Sequence, residues 1–182
     1  FADRSGRVVI PLIYDWVWDL SEGLAHVRLD GKSGFIDTSG KKVIPLKYDW
    51  AGDFSEGLAR VKLNGKWGFI DLQGEVFIPI KYDDAGNFHE GLAWVTLNGS
   101  WGYIQTNGRE TVHPKYDYAG DFHGGLAWVT LNGKWGFVDG NGKEVIPLKY
   151  DNAGGFINGL ARVRIDGKYG YIDKKGTEYW EN

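Results

Sequence analysis

Apolar and polar residues alternate in short runs along this chain. In the run from Leu92 to Leu97, the side chains of Leu92 and Trp94 point to one face, and those of Ala93, Val95 and Leu97 point to the other. A period of two residues with apolar side chains on both faces predicts a β-strand that is covered on both sides. The pattern therefore predicts strands that need a neighbour on each face.

Glycines that lie in the same short sequence motif recur every 34 residues, which gives the period of the repeat. An aromatic-Gly pair recurs with its glycine at Gly68, Gly102, Gly136 and Gly170, and Gly34, which follows Ser33, holds the same position in the first repeat. Three residues before each lies another glycine, which follows Asn or Asp as in Asn64-Gly65. Such a pair tolerates the positive φ angles of a type I′ turn, so the repeats predict β-hairpins.

Each repeat is predicted to be a three-stranded antiparallel meander. Two strands flank the Asn-Gly turn, and a short third strand ends at a proline such as Pro79. Proline cannot donate to a strand ladder, so it is expected at a strand end or on an edge. A loop of constant length, residues 82–91 in one repeat, leads to the next. The aromatic-Gly glycine predicts close approach of the backbone of an adjacent repeat.

The predicted fold class is all-β, with 34-residue three-stranded β-meander repeats forming one domain over residues 1–182. The predicted boundaries are a partial repeat at 1–23, full repeats near 24–57, 58–91, 92–125 and 126–159, and a last repeat with a C-terminal cap at 160–182. Because both ends carry the same hairpin, an open, solenoid-like array is favoured. A closed, five-bladed propeller-like toroid is the alternative.

Composition excludes several classes of function. The formal net charge is −3, which disfavours nucleic acid as a partner. Cysteine is absent, so disulfides and thiolate metal sites are excluded. No apolar run reaches the roughly 18 residues of a transmembrane helix, and no signal peptide is visible, so membrane insertion is not expected. Because the chain starts at Phe1 without Met, we expect a fragment or a processed product.

Four short motifs repeat with the same spacing. They are Gly-Lys-Trp-Gly-Phe-Ile-Asp at 65–71, Ile-Pro at 78–79, Tyr-Asp at 82–83 and Phe-x-Glu-Gly-Leu-Ala at 88–93. This pattern resembles the WG (also called KWG) repeat family over essentially the entire chain. The resemblance implies a β-hairpin repeat found mostly in bacterial proteins, without one established activity. Ser33 and Tyr169 in place of tryptophan, and Gln105 in place of aspartate, depart from the pattern.

Aspartates recur at two positions of the repeat, exemplified by Asp71 and Asp83. One interpretation is a ladder of calcium sites or general acids. The favoured interpretation is that these side chains accept hydrogen bonds from turn backbone, because the spacing of a calcium-binding loop is missing. An enzyme domain normally has one active site, whereas these carboxylates recur in almost every repeat. We therefore predict no catalytic residues and no cofactor.

Histidines offer a second candidate chemistry. His89 and His123 occupy the same position in consecutive repeats. A metal pair between neighbouring repeats is conceivable, but solvated loop residues are the favoured interpretation. We predict no metal site.

The variable aromatic positions are the best candidates for binding. One position reads His26, Arg60, Trp94, Trp128 and Arg162, and another includes Trp16, Trp50 and Tyr118. A position that accepts Arg or Trp is expected to be partly exposed, and a row of such residues can form a stacking ladder. The alternative is that these side chains simply cover the sheet. Trp67, Trp101 and Trp135 are predicted to be packing residues.

Three functional hypotheses follow. The first is a non-catalytic repeat scaffold that binds a protein partner. The second is a carbohydrate or cell-wall binding module that uses aromatic platforms. The least favoured is an enzyme, because the repeated carboxylates would have to act in a single repeat.

Overall fold

The computed structural model describes residues 13–180, which form antiparallel β-sheets. Contacts divide the chain into two compact units at the junction between Asn87 and Phe88. Between residues 13 and 180 no helix has the length and apolar character needed to cross a membrane. The all-β prediction is confirmed.

The first unit contains two sheets, with strand orders β1-β2-β3-β4 and β5-β6-β7-β8. Its strands are β1 Trp16–Ser21, β2 Leu24–Leu29, β3 Lys32–Asp37, β4 Lys42–Tyr48, β5 Trp50–Ala51, β6 Leu58–Leu63, β7 Lys66–Asp71, β8 Val76–Tyr82 and β9 Asp84–Ala85.

The second unit repeats the same order. Strands β10, β11 and β12 pair consecutively, and two sheets with orders β13-β14-β15-β16 and β17-β18-β19-β20 follow. Its strands are β10 Leu92–Leu97, β11 Ser100–Gln105, β12 Glu110–Tyr116, β13 Tyr118–Ala119, β14 Leu126–Leu131, β15 Lys134–Asp139, β16 Glu144–Tyr150, β17 Asn152–Ala153, β18 Leu160–Ile165, β19 Lys168–Asp173 and β20 Glu178–Trp180.

The prediction of three strands per repeat missed a short fourth strand. In the second sheet, Trp50 of β5 pairs with Lys62, and Ala51 pairs with Val61 of β6. This strand lies in the segment that sequence patterns predict as a loop. Two residues are too few to produce a period-2 pattern, so the sequence gives no signal for it.

The prediction that the third strand ends at its proline is wrong. Strand β8 continues to Tyr82, three residues past Pro79. Ile78 pairs with Phe69 and Tyr82 with Trp67, so the register shifts across the proline. A bulge of this kind leaves residues outside the ladder, and proline is tolerated there because no amide donor is required.

The aromatic-Gly glycine explains how the bulged strand is accommodated. A Cβ atom at Gly68 would lie 2.7 Å from the carbonyl oxygen of Ile78 and 2.7 Å from the amide nitrogen of Ile80. The prediction of a close backbone approach is therefore correct, but the approaching backbone belongs to the next strand of the same sheet. It does not belong to an adjacent repeat.

The core of each unit lies between consecutive sheets. In the first unit, Leu24 and Phe35 of one sheet pack with Ala59, Val61 and Ile70 of the next. The second unit has two such clusters, built from equivalent residues of its consecutive sheets. The prediction of strands covered on both faces is confirmed, since Leu92 and its chain neighbour Ala93 are both buried.

Aspartates stabilise the turns, as the favoured interpretation predicts. Asp71 Oδ1 accepts hydrogen bonds from the backbone N–H groups of Gln73 and Glu75, at 3.0 and 2.9 Å. Asp49 accepts from the N–H of Asn64 at 2.7 Å and forms an ion pair with Lys32. The second type of aspartate thus connects the hairpin turns of consecutive repeats.

A tight turn with positive φ angles precedes each long hairpin and consists of glutamate and glycine in three repeats, and sequence reasoning did not predict its contacts. Glu22 and Glu90 have φ angles of +51° and +55°, in the left-handed region. The Glu22 carboxylate accepts a hydrogen bond from the N–H of Gly57 at 3.0 Å, and Glu90 accepts from the N–H groups of Gly124 and Gly125 at 2.6 and 2.7 Å. These contacts link equivalent turns of consecutive repeats and lower the pKa of Glu90.

Candidate functional site

One face of each long hairpin carries most of the predicted binding residues. In an antiparallel ladder, directly opposed residues and residues two positions apart share a face. Arg60 opposes Phe69, and Lys62 opposes Trp67, so these four side chains lie on one face of the second sheet. We call this face, and its equivalent in the other repeats, the aromatic face.

In the first unit the aromatic face forms a connected cluster of rings. The imidazole of His26 stacks on the Trp18 indole, with centroids 4.1 Å apart and planes at 9°. Trp50 lies 5.9 Å from His26 and 5.3 Å from Trp67, and Trp16 lies 6.4 Å from Trp18. The structure thus brings together the predicted residues His26, Trp16 and Trp50.

His26 is buried, contrary to the expectation of partial exposure at this position. Only 2% of the residue is exposed, and Nε2 has no hydrogen-bond partner within the described chain. Burial, with a smaller effect from the charge of Arg28, lowers the His26 pKa to about 4. The residue is therefore a neutral ring in a packed cluster at physiological pH.

Arg60 is half-buried and held by aromatic rings. Its guanidinium carbon lies 5.0 Å from the Trp50 ring centroid and 5.2 Å from that of Trp67. Nη1 donates a hydrogen bond to the backbone carbonyl of Ala85 at 2.6 Å. The predicted partial exposure is confirmed for Arg60, and its cation is engaged by the chain itself.

In the first two repeats of the second unit, tryptophans take the place of this arginine. The Trp94 ring lies 4.6 Å from Trp101, and the Trp128 ring lies 4.9 Å from Trp135. Both Trp94 and Trp128 are half-buried, as predicted for this position. Trp67, Trp101 and Trp135, predicted as packing residues, are also half-buried members of the aromatic face.

A cavity of about 390 Å³ opens between consecutive sheets of the second unit. We call it the tryptophan cavity. Its lining includes Trp94, Trp101, Gly120, Asp121, His123, Trp128, Phe137, Gly155 and Phe156. A volume in this range and a mainly aromatic wall are typical of ligand sites.

The absence of a side chain at Gly120 allows the Trp128 indole to pack against the backbone in the cavity wall. A Cβ atom at Gly120 would lie 2.2 Å from Nε1 of Trp128, so only glycine permits the contact. Sequence reasoning missed Gly120 and Asp121, because both lie in the segment predicted as a connecting loop. Their recurrence as Gly52 and Asp53 in an earlier repeat was the available signal.

The equivalent cavity of the first unit is smaller, about 130 Å³. Its lining residues His26, Gly52, Asp53, Arg60 and Asn87 correspond to Trp94, Gly120, Asp121, Trp128 and Gly155. Asn87 supplies a side chain where Gly155 has none, which accounts for part of the difference in size.

The other predicted binding residues occupy different environments. Trp16 and Tyr118 are strongly exposed, at 65% and 61%. Tyr118 lies 6.0 Å from Trp101, at the edge of the same aromatic face. Arg162 is exposed and stacks over Tyr169 at 4.1 Å, and it lines a different cavity with Leu160.

The histidine pair does not form part of a larger metal-binding group. The rings of His89 and His123 lie 6.3 Å apart, and both residues are exposed. Within residues 13–180, no group of three or more His, Cys, Asp or Glu side chains is arranged to hold a metal ion.

The solved structures that match this chain have low sequence identity to it. A protein described as the eukaryotic initiation factor is 11% identical with a TM-score of 0.57, and the match covers 93% of this chain and 56% of that chain. The extracellular domain of a hybrid two component system from B. thetaiotaomicron is 10% identical with a TM-score of 0.44, covering 91% and 27%. A protein of unknown function from Bacteroides caccae is 14% identical with a TM-score of 0.38, covering 90% and 79%.

The likeness to the initiation factor concerns the fold alone. This chain spans less than two thirds of the length of that protein and of the two-component extracellular domain. No curated protein matches the chain.

The repeat assignment is supported by a family comparison. The model described as the WG containing repeat matches residues 1–32, 34–67, 67–101, 101–135 and 135–169. These five consecutive segments cover most of the chain and have the period of the aromatic-Gly pairs. The chain therefore belongs to the WG-repeat family.

Proposed function

We propose that this chain is a non-catalytic binding module that recognises a protein partner through its aromatic face. The tryptophan cavity is the observation that carries the proposal. Half-buried rings such as Trp94 and Trp128 offer a large apolar area at low conformational cost, and aromatic residues are enriched at protein interfaces. The repeated aspartates are engaged in turn hydrogen bonds, which supports a structural role for them over a catalytic one.

A carbohydrate or cell-wall glycan is the second candidate ligand. The same rings, Trp94, Trp101 and Trp128, line a cavity instead of a flat patch. Sugar rings present apolar faces that stack on indoles, and Asp121 would accept hydrogen bonds from their hydroxyl groups.

Arrays of peptides and of glycans, screened in parallel with the intact chain, distinguish these candidates. For the protein-binding proposal, we expect a saturable peptide hit that changes tryptophan fluorescence in a titration. A saturable hit on glycans alone would replace the first candidate by the second. No saturable binding on either array would contradict the proposed function.

We also infer that the repeats form an open, solenoid-like array. Within each unit, equivalent residues of consecutive sheets pack against one another, as in a repeat array in which each repeat contacts its neighbours. The radius of gyration from small-angle scattering tests the inference, because a closed ring is more compact than an open array.

A further inference from the structure

The repeats fall into two classes according to the residues at two positions of the aromatic face. In the first, second and fifth hairpins both positions hold basic or imidazole side chains, and in the third and fourth they hold Trp and Thr. The pairs are His26 and Arg28, Arg60 and Lys62, and Arg162 and Arg164 in the first class, and Trp94 and Thr96, and Trp128 and Thr130 in the second.

In the first class the chain supplies its own cations to the aromatic face. The Arg60 guanidinium lies over the rings of Trp50 and Trp67, and the Lys62 ammonium lies 5.5 Å from the Trp67 centroid. Burial and the charge of Asp19 raise the pKa of Asp53, and the positive charge of Arg60 opposes this rise. This site is an internal example of a guanidinium that lies over indole rings and acts electrostatically on a nearby carboxylate.

The tryptophan cavity of the second unit also combines rings, a carboxylate and room, and it has no cation at these two positions. Its rings are not the counterparts of Trp50 and Trp67, whose counterparts are Tyr118 and Trp135. Trp128 takes the place of Arg60, and Thr130 takes the place of Lys62. Asp121, the counterpart of Asp53, supplies a carboxylate at the wall of the tryptophan cavity. Its negative charge acts next to the cavity, because burial and then Asp121 raise the pKa of the Tyr103 hydroxyl, which donates a hydrogen bond to the carbonyl of Gly120 in the cavity wall.

The tryptophan cavity has more room than its equivalent in the first unit. Gly155 replaces Asn87, and the cavity is about 390 Å³, compared with about 130 Å³ in the first unit. A cation entering this space would contact the indole rings and approach the Asp121 carboxylate. Both interactions strengthen when water is displaced from the site.

We propose that the tryptophan cavity binds an arginine side chain of the partner polypeptide. The rings of Trp94, Trp101 and Trp128 provide the cation–π surface, and Asp121 provides the opposite charge. The proposal rests on the proposed function, because it names the group on the protein partner that the aromatic face recognises.

A titration with short peptides tests the proposal. The intact chain is labelled with ¹⁵N at the indole N–H groups, assigned by single Trp→Phe variants, and titrated with N-acetyl-Gly-Arg-Gly-amide. We expect saturable shifts at Trp94, Trp101 and Trp128. The matched citrulline peptide, which has the same shape without the charge, should bind at least about tenfold more weakly. Asp121→Asn should weaken binding of the arginine peptide by about tenfold as well.

Two neighbouring glycines provide matched variants. Gly155→Asn restores the side chain that Asn87 places in the smaller cavity, and it should abolish the shifts. Gly154→Asn changes the adjacent residue outside the tryptophan cavity, and it should leave them unchanged. A Cβ atom at Gly155 meets no atom within 4 Å, and Gly154 meets only one at 3.9 Å, so both variants should fold.

Equal binding of the citrulline peptide, or undiminished binding to Gly155→Asn, would overturn the proposal. If the arginine peptide does not bind but an array peptide binds through Trp94 and Trp128, the cation proposal fails and the proposed function stands. If no peptide binds, both fail.

Discussion

At the scale of single residues, the glycine of the aromatic-Gly pair is constrained by backbone and not by turn conformation. A Cβ atom at Gly102 would lie 2.3 Å from the carbonyl oxygen of Val112 and 2.8 Å from the Pro114 nitrogen. Backbone atoms in a paired strand cannot move aside as a flexible side chain could. The two residues of the motif therefore have different roles. The tryptophan contributes its ring to the aromatic face, and the glycine leaves room for the bulged strand.

Gly102→Ala should destabilise the chain strongly, because the added methyl group would overlap the bulged strand. We expect a loss of at least about 3 kcal/mol in the free energy of unfolding, measured by denaturant titration. Gly155→Ala is the matched control, since its Cβ atom would meet nothing within 4 Å. An equal, small effect of both substitutions would show that β12 does not pass over Gly102.

His26 should make the stability of the chain depend on pH. Its pKa is lowered to about 4 in the folded chain, so the unfolded chain binds the proton more readily between pH 4 and about 6.5. Stability should therefore fall as the pH decreases through this range. The penalty at pH 4 is about 3 kcal/mol relative to neutral pH.

Denaturant titrations of His26→Phe and of the parent chain at several pH values measure this effect. The difference in stability between the two chains should change by about 3 kcal/mol between pH 7 and pH 4. His113→Gln is the control, because the His113 side chain is 81% exposed. If the pH profiles of His26→Phe and the parent chain are parallel, His26 is not buried as a neutral ring.

At the scale of strands and turns, the repeat period explains what sequence patterns can predict here. Asn-Gly pairs and alternating residues mark the long strands, and the aspartates mark their turns, so these elements are predictable. Strand β5 has only two residues and leaves no pattern. Pro79 suggests a strand end, but a bulge removes the requirement for its amide, and the strand continues.

The aspartate that connects consecutive turns should contribute to stability through its lysine partner. Asp151 accepts a hydrogen bond from the Asp166 N–H at 2.9 Å and pairs with Lys134. The Lys134 contact and then this N–H lower the Asp151 pKa. The stabilisation is therefore present at neutral pH and is lost as the pH falls through the lowered pKa.

Asp151→Asn should lower the thermal midpoint, and the decrease should be smaller at high salt because ion pairs are screened. Asp117→Asn is the matched control, because Asp117 is the equivalent aspartate one repeat earlier. The residue equivalent to Lys134 there is Ser100, which cannot form an ion pair. We expect a smaller, salt-independent decrease for this control. Equal decreases in both variants, at any salt concentration, would show that the lysine contact contributes nothing.

At the scale of the whole molecule, each of the two units has consecutive sheets that bury one another and leave the aromatic face partly exposed. The candidate residues Trp94 and Trp128 could be found from the sequence, because they vary at a fixed position of the repeat. The tryptophan cavity could not be found in this way. It depends on the contact between Gly120 and the Trp128 indole, and on the absence of a side chain at Gly155. Packing details of this kind have no periodic signature.

The measurement that tests the central claim most directly is a binding titration of an array-selected peptide against two double variants. Trp94→Ala with Trp128→Ala removes two rings from the tryptophan cavity. Phe77→Ala with Tyr179→Ala removes two rings that are 53% and 51% exposed outside it. Folding of each variant is checked by circular dichroism.

The account predicts that the Trp94 and Trp128 double variant folds but loses binding, and that the Phe77 and Tyr179 double variant binds like the parent chain. Undiminished binding by the first variant would contradict the claim that the aromatic face is the binding surface. Loss of folding by the first variant would contradict it as well, since the two rings would then be core residues.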